Sequence, residues 1–228
     1  MSNQQFSSEN PPLVLAVDTS SASASFALAR GNEVLAVLKG DASIPHSKTF
    51  FLQISELLRS AGRSINDVQL FAAATGPGSF TGLRVGLAAV KGLAQTLNAP
   101  LIGVNSFDAV ALASKVSGEV LVMLEAGRHE SYFGFRRIAE SGLVQTIGED
   151  KVGAPDKLLS SSLQNLIVTG AVSEAILNNW PGLKFRPAVS TSAEEIALYA
   201  PKLWLSGADC QLRPHYVRPS DAEIKRKD

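Results

Sequence analysis

The segment T-G-P-G-S-F-T-G-L-R-V-G over residues 75–86 is where the backbone itself could do chemistry. A Gly76-Pro77-Gly78 turn between an apolar strand and a helix lets amide N–H groups converge on one point, which is how helix N-termini hold phosphate. No Lys-Ser or Lys-Thr pair closes it as a P-loop, and the dinucleotide pattern G-x-G-x-x-G is not met. Turn chemistry alone leaves two readings open, a phosphate site and a tight strand-to-helix turn with no ligand. Asp18-Thr19-Ser20 ends the apolar run 13–17 and offers a carboxylate, whose plainer use is to cap its own turn. Glu125, Arg128, His129 and Glu130 form a polar knot between two apolar stretches. Such a set suits acid–base catalysis, but no nucleophile adjoins it, so we read it as a structural or partner-facing turn. His46, His129 and His215 lie in separate segments without metal-ligand spacing and read as polar surface or cap residues. Cys210 is a lone thiol with no partner nearby in sequence, so a nucleophile is not expected there.

Gly78, Gly82 and Gly86 recur at intervals of four and therefore share one helix face. Interior glycines at Gly82 and Gly86 each cost about 1 kcal/mol against alanine, which asks for a compensating reason. Close approach of a second backbone is the reason we expect, supplied by a partner or, alternatively, by the chain's own sheet. Leu83, Leu87, Val90, Ala94 and Leu97 have the i, i+4, i+7 spacing of a core face.

The elements that must position these residues follow from periodicity. Apolar segments at 13–17, 25–29 and 33–38 predict a three-strand antiparallel meander. Pro45 opens a helix over 46–61 with Phe51, Ile54, Leu58 and Ala61 at helical spacing, ended by Gly62. A small-residue strand at 70–74 enters the glycine turn, and 80–97 is helical. A strand at 101–104 and a helix at 107–116 follow, the latter with Asp108 as a first-turn acid favoured by the helix dipole. The order β-β-β-α-β-α closes one lobe near residue 105. The second half repeats the theme more loosely, with strands at 120–124, 132–136, 143–147 and 166–169. Ser192-Ala193-Glu194-Glu195 reads as a capping box that starts a helix, with Pro201 bending or ending it. Residues 213–228 have no period and read as an extended tail.

The chain has 228 residues, 45% hydrophobic and 18% charged, an ordinary globular composition with room for two small lobes. Formal net charge is zero, so no overall field collects nucleic acid or anionic lipid. A single cysteine excludes an internal disulfide and suits a reducing cytoplasm. The polar opening has neither the basic nor the apolar region of a signal peptide, and no apolar run is long enough to span a bilayer. The basic cluster Lys225-Arg226-Lys227 is expected to be solvated.

L-V-L-A-V-D-T-S at 13–20, A-A-A-T-G-P-G-S-F-T-G-L-R-V-G at 72–86 and P-L-I-G-V-N-S-F-D-A-V-A at 100–111 carry a resemblance to a known family. The chain resembles the TsaB (formerly YeaZ) family, dimerisation subunits of the bacterial machinery that makes threonylcarbamoyladenosine at position 37 of tRNA. The match is dense over 13–116 and thin beyond, through E-A-G-R-H-E-S-Y and P-H-Y-V-R-P. The resemblance implies an α/β, two-lobed duplicated actin-like (ASKHA, ribonuclease H-like) fold. Its divisions would be a disordered tail at 1–12, an N-terminal lobe at 13–105, a C-terminal lobe at 106–212 and an extended tail at 213–228, with helix 192–207 able to pack back on the first lobe.

The function it implies is that of a non-catalytic scaffold that binds and activates the threonylcarbamoyltransferase TsaD for tRNAs reading codons that start with A. TsaE joins at the level of the complex, tRNA is reached only through the complex, and a homodimer forms in isolation. The helices over 46–61 and 79–97 would dock the partner, through Phe51, Ile54, Leu58, Gly78, Phe80, Thr81, Gly82, Arg84, Val85 and Gly86. A vestigial nucleotide site would comprise Asp18, Thr19, Ser20, Gly76 and Gly78. The catalytic paralogue TsaD carries two metal-binding histidines where this chain has Ser106 and Val110, and neither replaces an imidazole. No cofactor is then expected on this chain alone, while ATP, magnesium and the TsaD metal belong to the complex. Glu125-Ala126-Gly127-Arg128 departs from the family's Asp-Ala-Arg by shifting the arginine one residue. The alternative is an ATP-dependent enzyme of actin-like fold, a small-molecule kinase or a glycoprotease-like peptidase.

Overall fold

The uninterrupted apolar run of β1 (Leu13–Asp18) needs cover on both faces, and the chain supplies it with helices on either side. In the computed structural model, which describes residues 6–7, 9–127, 129–155, 166–180, 182–189, 192–207 and 212–218, β1 is the centre of a five-stranded sheet. It pairs antiparallel with β2 (Ser25–Arg30), which pairs antiparallel with β3 (Glu33–Lys39). On its other side it pairs parallel with β4 (Leu70–Gly76), and β4 pairs parallel with β5 (Leu101–Asn105).

Alternate strand residues face opposite ways. Leu13, Leu15 and Val17 pack with Phe50, Ile54, Leu57 and Leu58 of α1 (His46–Ser60) and Leu83, Leu87 and Val90 of α2 (Phe80–Thr96). Val14, Ala16, Leu70 and Ala72 face Ala193, Ile196, Ala197 and Ala200 of α5 (Ser192–Ser206).

The second sheet repeats the first. β6 (Gly118–Gly127) is antiparallel to β7 (Glu130–Ile138) and parallel to β9 (Ile167–Gly170), while β8 (Val144–Gly153) and β10 (Lys184–Phe185) take the edges. The strand orders β3-β2-β1-β4-β5 and β8-β7-β6-β9-β10 are the same walk, with the same parallel and antiparallel steps. This is a duplicated α/β fold. Helix α3 (Ser106–Ala113) leads directly out of β5, and its start is capped by Asn105, whose side-chain oxygen accepts from the Phe107 amide at 2.8 Å.

Several expectations are corrected. Ser192 lies inside α5 rather than capping it: its hydroxyl donates to Asp18 Oδ2 at the end of β1, and buried Glu195 pairs with Lys115 at 2.5 Å. Pro201 does not end α5, which continues to Ser206; the proline is buried in the helix. Helix α3 stops at Ala113, short of residue 116, where Lys115 takes a positive φ. The short elements α4 (Glu174–Asn179) and β10 were not foreseen, because six and two residues show no readable period. Arg128, Cys210, Lys225, Arg226 and Lys227, and most of the tails, lie outside the described residues.

The largest correction concerns the glycine stripe. A Cβ on Gly82 would stand 2.1 Å from the Thr19 carbonyl oxygen, and one on Gly86 would stand 2.2 Å from Thr19 Oγ1. The close approach these glycines allow is therefore made by the end of β1, inside the lobe. Gly92, in the same helix, has open space around it. Alanine at Gly92 should stabilise the chain by roughly 0.5–1 kcal/mol through helix propensity. Alanine at Gly82 should cost about 2 kcal/mol, since an overpacked site outweighs that gain. Urea unfolding of the two variants checks the opposite signs; a stabilised Gly82→Ala would contradict the packing described.

Candidate functional site

The turns that follow β1 and β4 meet the β6–β7 hairpin across a cleft of about 880 Å³ between the two sheets. The first lobe contributes Ser20, Ser21 and 77–81, and the second contributes 124–127 and Ala171. Residues 215–218 form a third wall.

Asp18 is buried at the head of this cleft, and both its oxygens are engaged within the chain. Oδ1 accepts from the Ser20 amide at 2.7 Å, and Oδ2 accepts from Ser192. The capping reading of the Asp-Thr-Ser turn is thus what the structure contains. Thr19 Oγ1 donates to the Gly82 carbonyl at 2.8 Å. The Ser79 amide, one of those able to converge on a phosphate, donates to the Ser20 carbonyl at 2.6 Å. Gly78 makes that contact possible, since a Cβ there would stand 2.3 Å from Ser20 O. Gly76 has φ +106° and faces His215 O and Leu83, so it needs glycine for both conformation and space. Asp18, Ser20 and Gly78 are brought together, Thr19 and Gly76 are turned to Gly82 and to His215 and Leu83, and all five are engaged within the chain.

The residues expected at a partner interface divide differently. Ile54 and Leu58 are buried in the lobe's own core, and Gly82 and Gly86 face Thr19, so none of the four is available to another protein. Phe51 is 58% exposed and its neighbour Leu52 is 70% exposed. Thr81 and Arg84 are exposed, and Phe80, Val85 and Gly78 are half-buried. Arg84 stacks over the Phe80 ring at 3.8 Å.

Behind the cleft stands a polar centre that sequence reasoning missed. Arg136 is fully buried on β7 and donates Nε to Asp108 Oδ1 at 2.6 Å. Its two terminal nitrogens reach Asp150 Oδ1 at 2.8 Å and Oδ2 at 3.0 Å, a bidentate pair. Gly134 leaves the room, because a Cβ there would meet Asp150 Oδ1 at 2.6 Å. His215 Nε2 lies 2.9 Å from Asp150 Oδ2. Burial raises the Asp108 carboxyl despite the opposing pull of Arg136. At Asp150 burial also pushes upward, but the His215 and Arg136 hydrogen bonds outweigh it and hold that carboxyl below its ordinary range. Burial depresses Arg136 in turn, and the two carboxylates more than restore it. The signal for this centre in the sequence was a basic residue inside an apolar strand, Phe133-Gly134-Phe135-Arg136.

The other expected candidates are placed as follows. His46 begins α1, with Nε2 3.0 Å from Ser21 O, and His129 is exposed in the β6–β7 turn with φ +61°. Glu125 is exposed, whereas Glu130 pairs with Arg218. Ser106 is buried, and Val110 is half-buried and packs with the Phe107 cluster. Among the described residues no group of three His, Cys, Asp or Glu could hold a metal ion, and no helix is long and apolar enough to cross a membrane.

A family model described as TsaD, tRNA N6-adenosine threonylcarbamoyltransferase, matches residues 37–202. The chain belongs to that family. Within it, the resemblance to TsaB is borne out by relatives of that name. The tRNA threonylcarbamoyladenosine biosynthesis protein TsaB of Haemophilus influenzae is 34% identical over 123 residues, covering 53% of this chain and 52% of the relative. The chain thus spans about half the length of that curated relative. A solved structure from Pseudomonas aeruginosa, described as an uncharacterized protein with similarity to peptidase YEAZ, is 24% identical and covers 91% of this chain and 100% of its own, with a TM-score of 0.74. Component A of (R)-2-hydroxyglutaryl-CoA dehydratase from Acidaminococcus fermentans is 12% identical, covers 84% of this chain and 97% of its own, and has a TM-score of 0.51. These two likenesses concern the fold, the actin-like two-lobed architecture.

Asp150→Asn should destabilise the chain by about 3 kcal/mol at neutral pH, because it leaves a buried guanidinium short of charge. A folded-state pKa below the unfolded one means that the Asp150 contribution is complete above the ordinary value of 3.8 and is lost as pH falls through the lower, folded value. The gap between parent and variant should therefore begin to narrow as pH drops below 3.8 and close toward the lower, folded value. Urea titrations at neutral pH and in acid measure it, and a gap independent of pH would contradict the assignment.

Proposed function

We propose that this chain serves tRNA threonylcarbamoyladenosine biosynthesis as a subunit that docks and supports a TsaD-type transferase and performs no chemistry of its own. The observation that carries this is the use already made of the would-be catalytic groups. Both oxygens of Asp18 are hydrogen-bonded inside the chain, and the family's metal-binding positions are a buried serine and a packed valine. What the chain offers outward is the first lobe's helical layer, with Phe51 and Leu52 exposed on α1 and Thr81 and Arg84 exposed on α2. An exposed aromatic-aliphatic pair is the composition of an interface anchor. In this reading the chain is cytoplasmic and pairs with a second copy of itself when TsaD is absent. TsaE, ATP, magnesium and tRNA are met only in the assembled complex, where the transferred group reaches adenosine 37.

A second reading has one observation in its favour. The 880 Å³ cleft lies between the lobes at the start of α2, where a nucleotide could enter. It makes the chain an ATP-dependent enzyme of actin-like fold. Calorimetry of the pure chain with ATP and magnesium separates the two readings, since the scaffold should give no binding heat at concentrations where a kinase saturates.

The docking face is tested with Phe51→Asp combined with Leu52→Asp. Both side chains are exposed, so thermal unfolding should match the parent, while capture of TsaD should weaken at least roughly a hundredfold and modification of tRNA in a reconstituted system should fall with it. Undiminished capture by the folded variant would remove α1 from the interface.

A further inference from the structure

Residues 212–218 do not trail away from the fold. Leu212 packs against the first lobe's core. The His215 amide donates to the Thr75 carbonyl at 2.7 Å, at the end of β4, while its ring reaches Asp150 on β8. Tyr216 returns to the first lobe: its ring lies 5.0 Å from that of Phe80, and its hydroxyl accepts from Arg84 Nε at 3.3 Å. Val217 joins the second lobe's Phe107 cluster. Arg218 donates to the Ala126 carbonyl at 3.0 Å, pairs with Glu130, and lies 5.9 Å over the Tyr132 ring. Successive residues therefore grip opposite sides of the same cleft.

We infer that this segment is a strap that laces the lobes together and sets the aperture of the cleft, a latch that has to let go before the lobes can part. Two features separate a latch from ordinary core. His215 and Tyr216 at its middle remain open to water, at 42% and 41% exposure, and Leu212, Val217 and Arg218 are half-buried rather than enclosed, so release unfolds neither sheet. Its grips are also divided, so that no single lobe holds it. The ring and hydroxyl of Tyr216 meet Phe80 and Arg84 of the first lobe, and the guanidinium of Arg218 meets Ala126, Glu130 and Tyr132 of the second. Opening of two lobes about their junctions, Asn105 into Ser106 and the return from β10 to α5, is then governed in part by contacts made from residues 212–218.

The division of grips gives the test. Amide hydrogen exchange is measured on the full chain and on Tyr216→Ala and Arg218→Ala, following residues 76–83 of the first lobe and 124–132 of the second. A strap predicts that each variant speeds exchange in both segments by about tenfold, although each removes contacts with only one lobe. Exchange in β1 and β2 should stay at the parent rate. Faster exchange confined to the lobe that lost its contact would overturn the inference, as would no change in either segment. A rise spread equally through β1 and β2 would do the same, since it would make these residues part of the general core.

Discussion

A guanidinium with no exposure to water has to be neutralised and hydrogen-bonded on every side, and Arg136 imposes that demand on four parts of the chain at once. Asp108 comes from α3 and Asp150 from β8, while the Asn105 side chain at the α3 cap lies 3.4 Å from its third nitrogen. His215 is drawn in through Asp150. Each partner arrives on a different element, so the charge fixes how α3 leaves the first sheet, how β7 and β8 are registered, and where residues 212–218 turn. A hydrophobic residue of similar volume could fill the space, but it would not specify those four approaches together.

The same logic explains how much of the fold could be read in advance. Strands β1, β2 and β4 and helices α1 and α2 are long, apolar and bounded by glycine or proline, so periodicity and turn chemistry identify them. The duplication is weaker in sequence than in structure, because β9 and β10 have four and two residues and carry no pattern of their own. Arg136 stood out as a basic residue in an apolar strand but its partners did not: they lie 28 and 14 residues away, brought in by the packing of α3 and by the β7–β8 register rather than by local spacing. Ser192 shows the reverse error. A local capping pattern was present, but the buried carboxylate of Asp18 on the sheet beneath competed for the hydroxyl and obtained it.

The glycine turn illustrates how one pattern serves two physical ends. Repeats of glycine on a helix face signal close approach, and the sequence correctly marks that approach without naming what approaches. Thr19 is the answer, since it occupies the space of two missing side chains and adds a hydrogen bond to the Gly82 carbonyl. Gly78 and the Ser79 amide complete the contact through Ser20. The loops that in this architecture frame a ligand cleft are thereby tied to each other from one side. The amide that a phosphate would have recruited is already satisfied.

That internal use of the small residues changes what α1 and α2 can offer to another protein. Leu83, Leu87 and Val90 face inward, the glycines face Thr19, and Ile54, Leu57 and Leu58 fill the space beneath α1. Helix α1 nonetheless carries Phe51 and Leu52, two large apolar side chains that the lobe's interior does not need. Exposed apolar area of this kind raises the tendency to associate, and a chain without net charge has no long-range repulsion to offset it. The pair is most economically explained as the part of α1 shaped by something outside the chain. What the helical layer presents to the outside is thus this pair on α1, while the glycine stripe of α2 is closed against Thr19.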